Sequence, residues 1–326
     1  MSNTFDTPKK SYRSYLEKSE IAHLKKPNDV TAMSMFIFDW SVIAACFAAI
    51  ALFDSVLVTF LALFVMAGRQ LGIGILLHEC SHRSFFSSPR MNQHIGHWLG
   101  GMPLLIPMDF YRPYHMLHHA KTGTDVDNIR QYPVTKGSML RKFLRDFTGV
   151  SGIKVLFGVL FYILPNREGN TVTMGAAKGK NKDTSNMKVS LINFTHVVLF
   201  HTLFFACFWA VGEPMLYAYW WVCLIFVYPF IIRMRQIAEH AALTSLSSDD
   251  VRDTTRTTIA RWWERLLFAP NYVNYHCEHH YVPTVPSYNL KQMHELLLQR
   301  GFYEEKPSAL VVEGYPRVLA IATSAS

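Results

Sequence analysis

Lysine and arginine are missing from two long stretches of the sequence, 27–68 and 189–232, and both stretches are rich in apolar side chains. A helix needs about 20 residues to cross the hydrocarbon core of a bilayer, so each stretch can hold two spans joined by a turn. The mean hydropathy of +0.11 is high for a soluble protein and low for a bundle buried entirely in lipid. The sequence therefore predicts membrane spans together with a sizeable aqueous part.

We place four spans in two hairpins, near residues 33–53 and 55–77 and near residues 189–211 and 214–232. The 32 basic residues all fall in segments 1–26, 69–188 and 233–326. Basic residues collect on the cytoplasmic side of membrane proteins. We therefore expect an integral, multi-pass protein of a bacterial inner membrane, with these three segments and both termini in the cytoplasm.

Cysteine is scarce, with five residues scattered along the chain, and this argues against a disulfide framework. Cys80 and Cys277 lie inside histidine-rich motifs, and we interpret them as small packing residues on the side of their helices away from the histidines. The polar residues 1–30 predict an N-terminal cytoplasmic arm, residues 31–300 the main domain, and residues 301–326 a C-terminal tail.

The histidines of the sequence occur in unusual patterns. Eight of its 15 histidines form three motifs, H-x-x-x-H once and H-x-x-H-H twice. Residues at i, i+3 and i+4 share one face of a helix, so each motif can direct its imidazoles to a common point. Neutral imidazole binds iron, copper, zinc and nickel. His240 is a ninth candidate ligand, and Gln236 lies four residues before it on the same face.

Nine histidines exceed the four ligands of a structural zinc site, and they suit two metal ions. Iron accepts a nitrogen-rich shell of higher coordination and can leave a position open for dioxygen. Nearby acidic residues are candidates to accept the second N–H of a ligating imidazole, which would fix its tautomer. These residues are Glu79, Asp109, Asp125, Asp127, Glu239 and Glu278. His196 and His201 lie inside the third span, and we interpret them as packing or substrate-lining residues.

These motifs resemble those of the membrane fatty acid desaturase superfamily. The matching elements are His78-Glu79-Cys80-Ser81-His82, Tyr111-Arg112-x-x-His115-x-x-His118-His119, and Asn274-Tyr275-His276-x-x-His279-His280 followed by Pro283 and Pro286. The stretch from Thr122 to Asp127 resembles the Thr- and Asp-containing segment that follows the second motif in that family. The order of the motifs and the two hairpins also match, so the resemblance covers about residues 33–300.

The resemblance implies an all-α membrane protein, with four transmembrane helices in two hairpins and a cytoplasmic helical cap that carries a di-iron site. The implied iron ligands are His78, His82, His115, His118, His119, His240, His276, His279 and His280. Acyl-CoA members of the family have a water-linked Asn four residues before the lone histidine. Here that residue is Gln236, which becomes a candidate ligand through a water molecule.

The implied function is desaturation of an acyl chain with two iron ions, O2 and electrons from a donor. The H-x-x-x-H spacing at His78 and His82 resembles acyl-lipid members more than acyl-CoA members. No His-Pro-Gly-Gly haem motif occurs in the sequence, so we expect a separate electron donor of the ferredoxin or cytochrome type. We expect the acyl substrate in an apolar tunnel between the hairpins.

Two other functions stay open at this point. A hydroxylase of a lipid, alkane, sphingolipid or carotenoid uses the same scaffold, and the histidine motifs do not separate it from a desaturase. A metal-binding membrane transporter is a more remote alternative. A transport path needs polar groups at the middle of the bilayer, whereas the histidine motifs lie in the aqueous segments. Nucleic-acid binding is not expected, since membrane topology accounts for the positive charge.

Overall fold

The computed structural model describes residues 15–122, 127, 136–163, 184–243, 248, 250–304 and 310–324. The helices are α1 Lys18–Leu24, α2 Asp29–Leu52, α3 Val56–Ser81, α4 Pro89–Ile95, α5 Met108–Lys121, α6 Lys136–Phe147, α7 Val150–Ile163, α8 Thr184–Ala210, α9 Leu216–Val222, α10 Tyr228–His240, α11 Val251–Thr254, α12 Trp262–Leu267, α13 His276–Tyr281, α14 Leu290–Gln299 and α15 Tyr315–Ser324. The strands β1 Thr257–Ile259 and β2 Val311–Glu313 pair in parallel.

Four helical segments of the described chain are long and apolar enough to cross a membrane. They are α2, α3, the part Leu191–Ala210 of α8, and the continuous segment Leu216–His240 that contains α9 and α10. They coincide with the four predicted spans, and they form the predicted pair of hairpins. The predicted fold class is thereby confirmed, with the two short strands as an unpredicted addition.

The second half of α3 lies at the centre of the molecule. Nearly every residue from Met66 to Ser81 is buried, and the helix runs without a break through His78. Gly68 lets α12 approach α3 closely, because a Cβ at Gly68 would lie 2.5 Å from the carbonyl oxygen of Leu266 in α12. The first histidine motif therefore sits at the end of a rigid extension of a membrane helix.

A buried ion pair joins the two helices of the first hairpin, and further hydrogen bonds of the same side chains reach the segment before the third motif. Arg69 Nη1 donates to Asp39 Oδ1 at 2.8 Å, and both side chains are buried. Arg69 Nη2 donates to the carbonyl oxygen of Leu266 at 2.6 Å, and Asn271 Nδ2 donates to Asp39 Oδ2 at 2.7 Å. These bonds hold α2, α3 and the segment before the third motif in a fixed arrangement.

Two π-helical turns shape the space beside α3. The turn Gly96–Gly101 packs against α3, where a Cβ at Gly100 would lie 2.9 Å from the carbonyl oxygen of Ile73. The turn Cys223–Val227 joins α9 to α10 and contacts Gly152 of α7, whose Cβ would lie 2.6 Å from Ile225 Cα. These close approaches bring α7 and the fourth span to the edge of an internal cavity.

The small sheet anchors the third histidine motif. Thr258 N donates to Asn274 O at 2.9 Å, and Asn274 Nδ2 donates back to Thr258 O at 3.0 Å. Thr257 N donates to Leu310 O, which brings the C-terminal segment to the same place. The apolar residue Val318 of α15 then packs in the same core cluster as Met234 of α10.

Candidate metal centre

The histidines come from four helices that end at one place. His78 lies in the last turn of α3, and His82 is the residue that caps the helix. The second motif lies in α5, His240 is the last residue of α10, and the third motif lies in α13. Segments distant in sequence therefore meet, and each helix contributes one or more imidazoles.

The nine predicted histidines form two groups, and the ligand nitrogens within each group lie within 4.8 Å of one another. The first group is His78, His82, His115, His119 and His279, and the second is His118, His240, His276 and His280. Histidines four residues apart stay in one group, while the middle histidine of each H-x-x-H-H motif belongs to the other group. The two longer motifs thus connect the groups.

The distances between ring nitrogens fit a shared metal ion. His115 Nε2 lies 2.9 Å from both His82 Nε2 and His119 Nε2, and His119 Nε2 lies 3.1 Å from His279 Nε2. In the second group, His276 Nε2 lies 2.9 Å from His240 Nε2. Metal–nitrogen bonds of about 2.1 Å at right angles would place neighbouring nitrogens about 3 Å apart. The donor set therefore fits a metal ion in each group.

Some ring nitrogens of the groups are buried without a hydrogen bond. Among the described residues, Nε2 of His78 and Nε2 of His280 have no such partner. A buried polar atom left unpaired costs about 1–3 kcal/mol, so native structures rarely leave one in this state. A bound metal ion would give both nitrogens a partner, and this supports the same fit.

Two carboxylates that lie outside the groups accept hydrogen bonds from imidazoles of the groups, as the sequence suggested. His78 Nδ1 donates to Glu79 Oε1 at 3.0 Å, and Glu79 Oε2 accepts from the backbone N–H of Ser287 at 2.8 Å. His118 Nδ1 donates to Asp127 Oδ1 at 2.8 Å, with both side chains buried. Each bond leaves Nε2 free to face the metal position.

Two other outer partners are not acidic. His240 Nδ1 donates to the carbonyl oxygen of Thr254 at 3.0 Å. His280 Nδ1 lies 3.3 Å from Thr122 Oγ1, which itself donates to His118 O at 2.6 Å. The Thr254 contact is not predictable from the sequence, since any residue supplies a backbone carbonyl. Thr122 belongs to the stretch that resembles the segment after the second motif in the desaturase family.

The other described acidic candidates accept hydrogen bonds from other groups and not, as expected, from the ligating imidazoles. Asp109 accepts from Gln93 at 3.1 Å, and Glu278 accepts from side chains outside the centre. Glu239 Oε1 accepts from Arg235 Nε at 2.6 Å and lies 3.6 Å from His276 Nδ1. Asp125 lies outside the described residues.

Burial favours the neutral form of several imidazoles of the centre. Burial, with the positive charge of Arg112, lowers the pKa of His82 to about 3. Burial, with neighbouring histidines, lowers the pKa of His119 to about 2. The same causes lower the pKa values of His115, His276 and His279 well below the ordinary range. Neutral imidazole is the form that binds metal ions.

A cavity of about 310 Å³ reaches both histidine groups. His78 and His115 of the first group and His118 of the second line it. The apolar residues that line it include Leu104, Leu105, Ile106, Leu156, Leu224 and Ile225. Gln236 also lines the cavity, one helical turn before His240.

The remaining histidines and cysteines of interest lie apart from the two groups. His196 Nδ1 lies 3.0 Å from His97 Nε2, and His201 Nδ1 lies 2.9 Å from the hydroxyl of Tyr217. Cys80 and Cys277 are fully buried and belong to neither group. This placement agrees with their interpretation as packing residues.

Four membrane-length helices, two buried histidine groups and an adjoining cavity define a membrane protein with a multi-histidine centre able to hold two metal ions. The sequence profile of the fatty acid desaturase family matches residues 54–309. The chain belongs to the fatty acid desaturase family.

Several relatives show which activities occur in similar proteins. An sn-1 acyl-lipid omega-3 desaturase (ferredoxin) of Synechocystis sp. is 28% identical over 156 residues, covering 46% of this chain and 42% of that protein. An omega-6 fatty acid desaturase, chloroplastic, of Glycine max is 24% identical and covers 69% of this chain and 53% of that protein. An sn-1 oleoyl-lipid 12-desaturase of Anabaena variabilis is 25% identical, covering 70% and 65%. The match thus spans about half the length of the first two relatives.

Proposed function

We propose that this protein is an acyl-lipid desaturase, which introduces a carbon–carbon double bond into an acyl chain with O2 and electrons from an external donor. The observation that carries the proposal is the meeting of nine histidines in two groups, both of which border a mainly apolar cavity. Loss of two hydrogens from the chain, with two electrons and two protons added, would reduce O2 to two molecules of water. The names of the acyl-lipid relatives support the substrate class.

The nine histidines would hold two iron ions, one in each group, with Gln236 as a candidate ligand through water. Bound iron would supply the oxidising power needed to remove hydrogen from an unactivated methylene. Iron suits the site because its donors are neutral imidazole nitrogens, in sets of five and four. Glu79 and Asp127 would hold His78 and His118 in the required tautomer.

The cavity walls would position the acyl chain. Leu104, Leu156 and Ile225 offer apolar contacts, and His78 and His118 line the same cavity. Apolar walls exclude water and hold one methylene near the histidines, so the protein would select a position along an otherwise uniform chain. Tyr111 and Tyr114 also line the cavity.

The electron donor and the orientation in the membrane complete the proposal. We propose a separate donor of the ferredoxin or cytochrome type, and the name of a ferredoxin-dependent relative supports the first. The basic segments support placing the histidine centre and both termini in the cytoplasm, in a bacterial inner membrane. Labelling of Lys121, which is exposed near the centre, by an impermeant amine reagent should occur only in inverted membrane vesicles.

The direct test is expression in a bacterial host with simple lipids, followed by mass spectrometry of the membrane lipids. A product lighter than its precursor by two hydrogen atoms is expected from the wild type and not from His280→Ala. The exposed His94, replaced by Ala, serves as the matched control and should retain activity. A product heavier by one oxygen atom would assign the protein to the hydroxylases instead, and a purified protein without iron would contradict the proposed centre.

A further inference from the structure

Charged side chains line the cavity close to the second histidine group. Arg235 Nε donates to Glu239 Oε1 at 2.6 Å, and the same oxygen lies 3.6 Å from His276 Nδ1. Both Arg235 and Glu239 line the cavity, and both side chains are largely buried. Glu239 therefore lies between the guanidinium of Arg235 and the imidazole of His276, in a cavity that is otherwise mainly apolar.

The outer edge of this guanidinium is available to a ligand. The hydrogen bond to Glu239 uses Nε, and neither Nη1 nor Nη2 bonds another residue in the described part of the chain. The other arginine of the cavity is not available in this way, because Arg233 makes two hydrogen bonds to Asp146, at 2.5 and 2.9 Å. Guanidinium presents its donors in a rigid planar fork that suits an oxygen acceptor.

The charges of the cavity cancel in pairs. Glu239 balances Arg235, and Asp146 balances Arg233. A carboxylate bound at the free edge of Arg235 would add a second negative charge beside Glu239 in a space of low dielectric, and like charges at such distances repel. A neutral carbonyl oxygen would accept from the same N–H groups without this cost.

We propose that Arg235 binds the carbonyl oxygen of an ester or amide in the substrate and so selects a lipid-linked acyl group over a free fatty acid. The proposal rests on the proposed function and adds a specificity-determining residue to it. Arg235 precedes His240 by five residues, which is about 7.5 Å along a helix axis. The carbon that reacts would therefore be set by its distance from the carbonyl end of the chain.

Binding of three probes to the iron-loaded protein in nanodiscs tests the proposal. The probes are radiolabelled methyl dodecanoate, dodecanoate and dodecane, each corrected for partition into empty nanodiscs. The wild type should bind the ester about tenfold to a hundredfold more tightly than the alkane, as expected for a hydrogen bond to a charged group. Arg235→Met should lose this difference between ester and alkane, whereas equal ester preference in both proteins would overturn the proposal.

Replacing Glu239 gives a test in the opposite direction. Glu239→Gln leaves Arg235 without its compensating charge, so the variant should bind dodecanoate at least about tenfold more tightly than the wild type does. The double variant Arg235→Gln/Glu239→Gln has no unpaired charge and guards against misfolding of the single variants. It should bind ester, acid and alkane with similar affinity, and a persistent ester preference would assign recognition to another residue.

Product analysis separates this inference from the proposed function. Chains of increasing length should acquire the double bond at a constant distance from the carbonyl carbon. A bond at a constant distance from the methyl end would overturn the role of Arg235 while leaving a desaturase. Absence of any desaturated product, together with normal ester binding, would instead contradict the proposed function and leave the binding role intact.

Discussion

The carboxylate of Glu278 accepts a hydrogen bond from Nδ1 of His294 at 2.5 Å. The same carboxylate accepts hydrogen bonds from the hydroxyls of Tyr303 and Thr257, and it is fully buried. Glu278 lies inside the third histidine motif, but its side chain faces away from both histidine groups. It therefore fastens α13, which carries three of the histidines, to β1 and α14.

Replacing Glu278 with Gln should destabilise the protein. The amide retains one acceptor oxygen for three donors, and each buried donor left unpaired costs about 1–3 kcal/mol. We expect a clear fall in the thermal unfolding midpoint of the purified protein, with loss of iron at lower temperature than in the wild type. Glu295→Gln is the matched control, because the Glu295–Lys291 pair is exposed and 3.7 Å long. Equal midpoints for both variants would exclude the anchoring role of Glu278.

Removing His118 should empty one metal position and spare the other. His118 belongs to the second group, together with His240, His276 and His280. His118→Ala should bind iron only in the first group, and it should lose turnover because the second position is incomplete. Iron content measured by elemental analysis, with desaturated lipid in the same preparation, checks this. A variant with full iron content and full activity would show that the ligand assignment is wrong.

The hydrogen bond from His118 to Asp127 should strengthen metal binding. Outer partners of this kind typically contribute 10- to 100-fold to metal affinity, so about that loss is expected for Asp127→Asn. Iron release to a chelator measures the change. Asp109→Asn is the control, since Asp109 bonds Gln93 and no histidine. Similar chelator curves for the two variants would remove Asp127 from the centre.

Acid should destabilise the iron-free protein. Burial lowers the pKa of His82 to about 3 and that of His119 to about 2, from an ordinary value of 6.5. Below about pH 6.5 the unfolded chain takes up protons that the folded chain does not, so stability is lost as the pH falls from that value toward the lowered pKa values. Thermal midpoints of the iron-free protein should be constant above neutral pH and decrease below about 6.5. A constant midpoint down to mildly acidic pH would show that these imidazoles are accessible to water.

Local sequence spacing predicted part of the grouping of the histidines, although it did not predict that the middle histidine of each H-x-x-H-H motif joins the other group. Positions four residues apart share a helix face, and this places His115 with His119 and His276 with His280. The four spans were also predictable from the sequence, because the length and apolar composition of each span depend on no other part of the chain. Assignment of His118 and His279 to opposite groups required the relative placement of α5 and α13, which spacing within one helix does not determine.

Contacts between distant segments were not predictable from the sequence. The bond from His240 to the carbonyl of Thr254 depends on how the chain turns after α10. Glu278 and Asp127 are both acidic residues near a histidine motif, yet only Asp127 contacts an imidazole of the centre. The side chain of Glu278 instead meets Thr257 of β1 and His294 of α14, which are not adjacent to it in sequence. The position of Arg235 in the cavity wall was likewise not predictable, because several elements together form the cavity.

The close approach of α3 to Asp39 makes one glycine of that helix sensitive to substitution. A Cβ at Gly72 would lie 2.8 Å from Asp39 Cγ, and Asp39 is fixed by Arg69 and Asn271. Overpacking of this kind costs about 1–3 kcal/mol, so Gly72→Ala should lower the thermal midpoint despite its better helix propensity.

The neighbouring glycine of α3 is the control for that substitution. A Cβ at Gly74 would lie 3.2 Å from the flexible end of Leu104 and 3.7 Å from the hydroxyl of Tyr228, so small movements can accommodate it. Gly74→Ala gains the same helix propensity and should therefore unfold at or above the wild-type temperature. Unfolding of both variants at the same temperature would mean that Asp39 moves freely. The hydrogen bonds of Asp39 with Arg69 and Asn271 would then not hold α2, α3 and the segment before the third motif rigidly together.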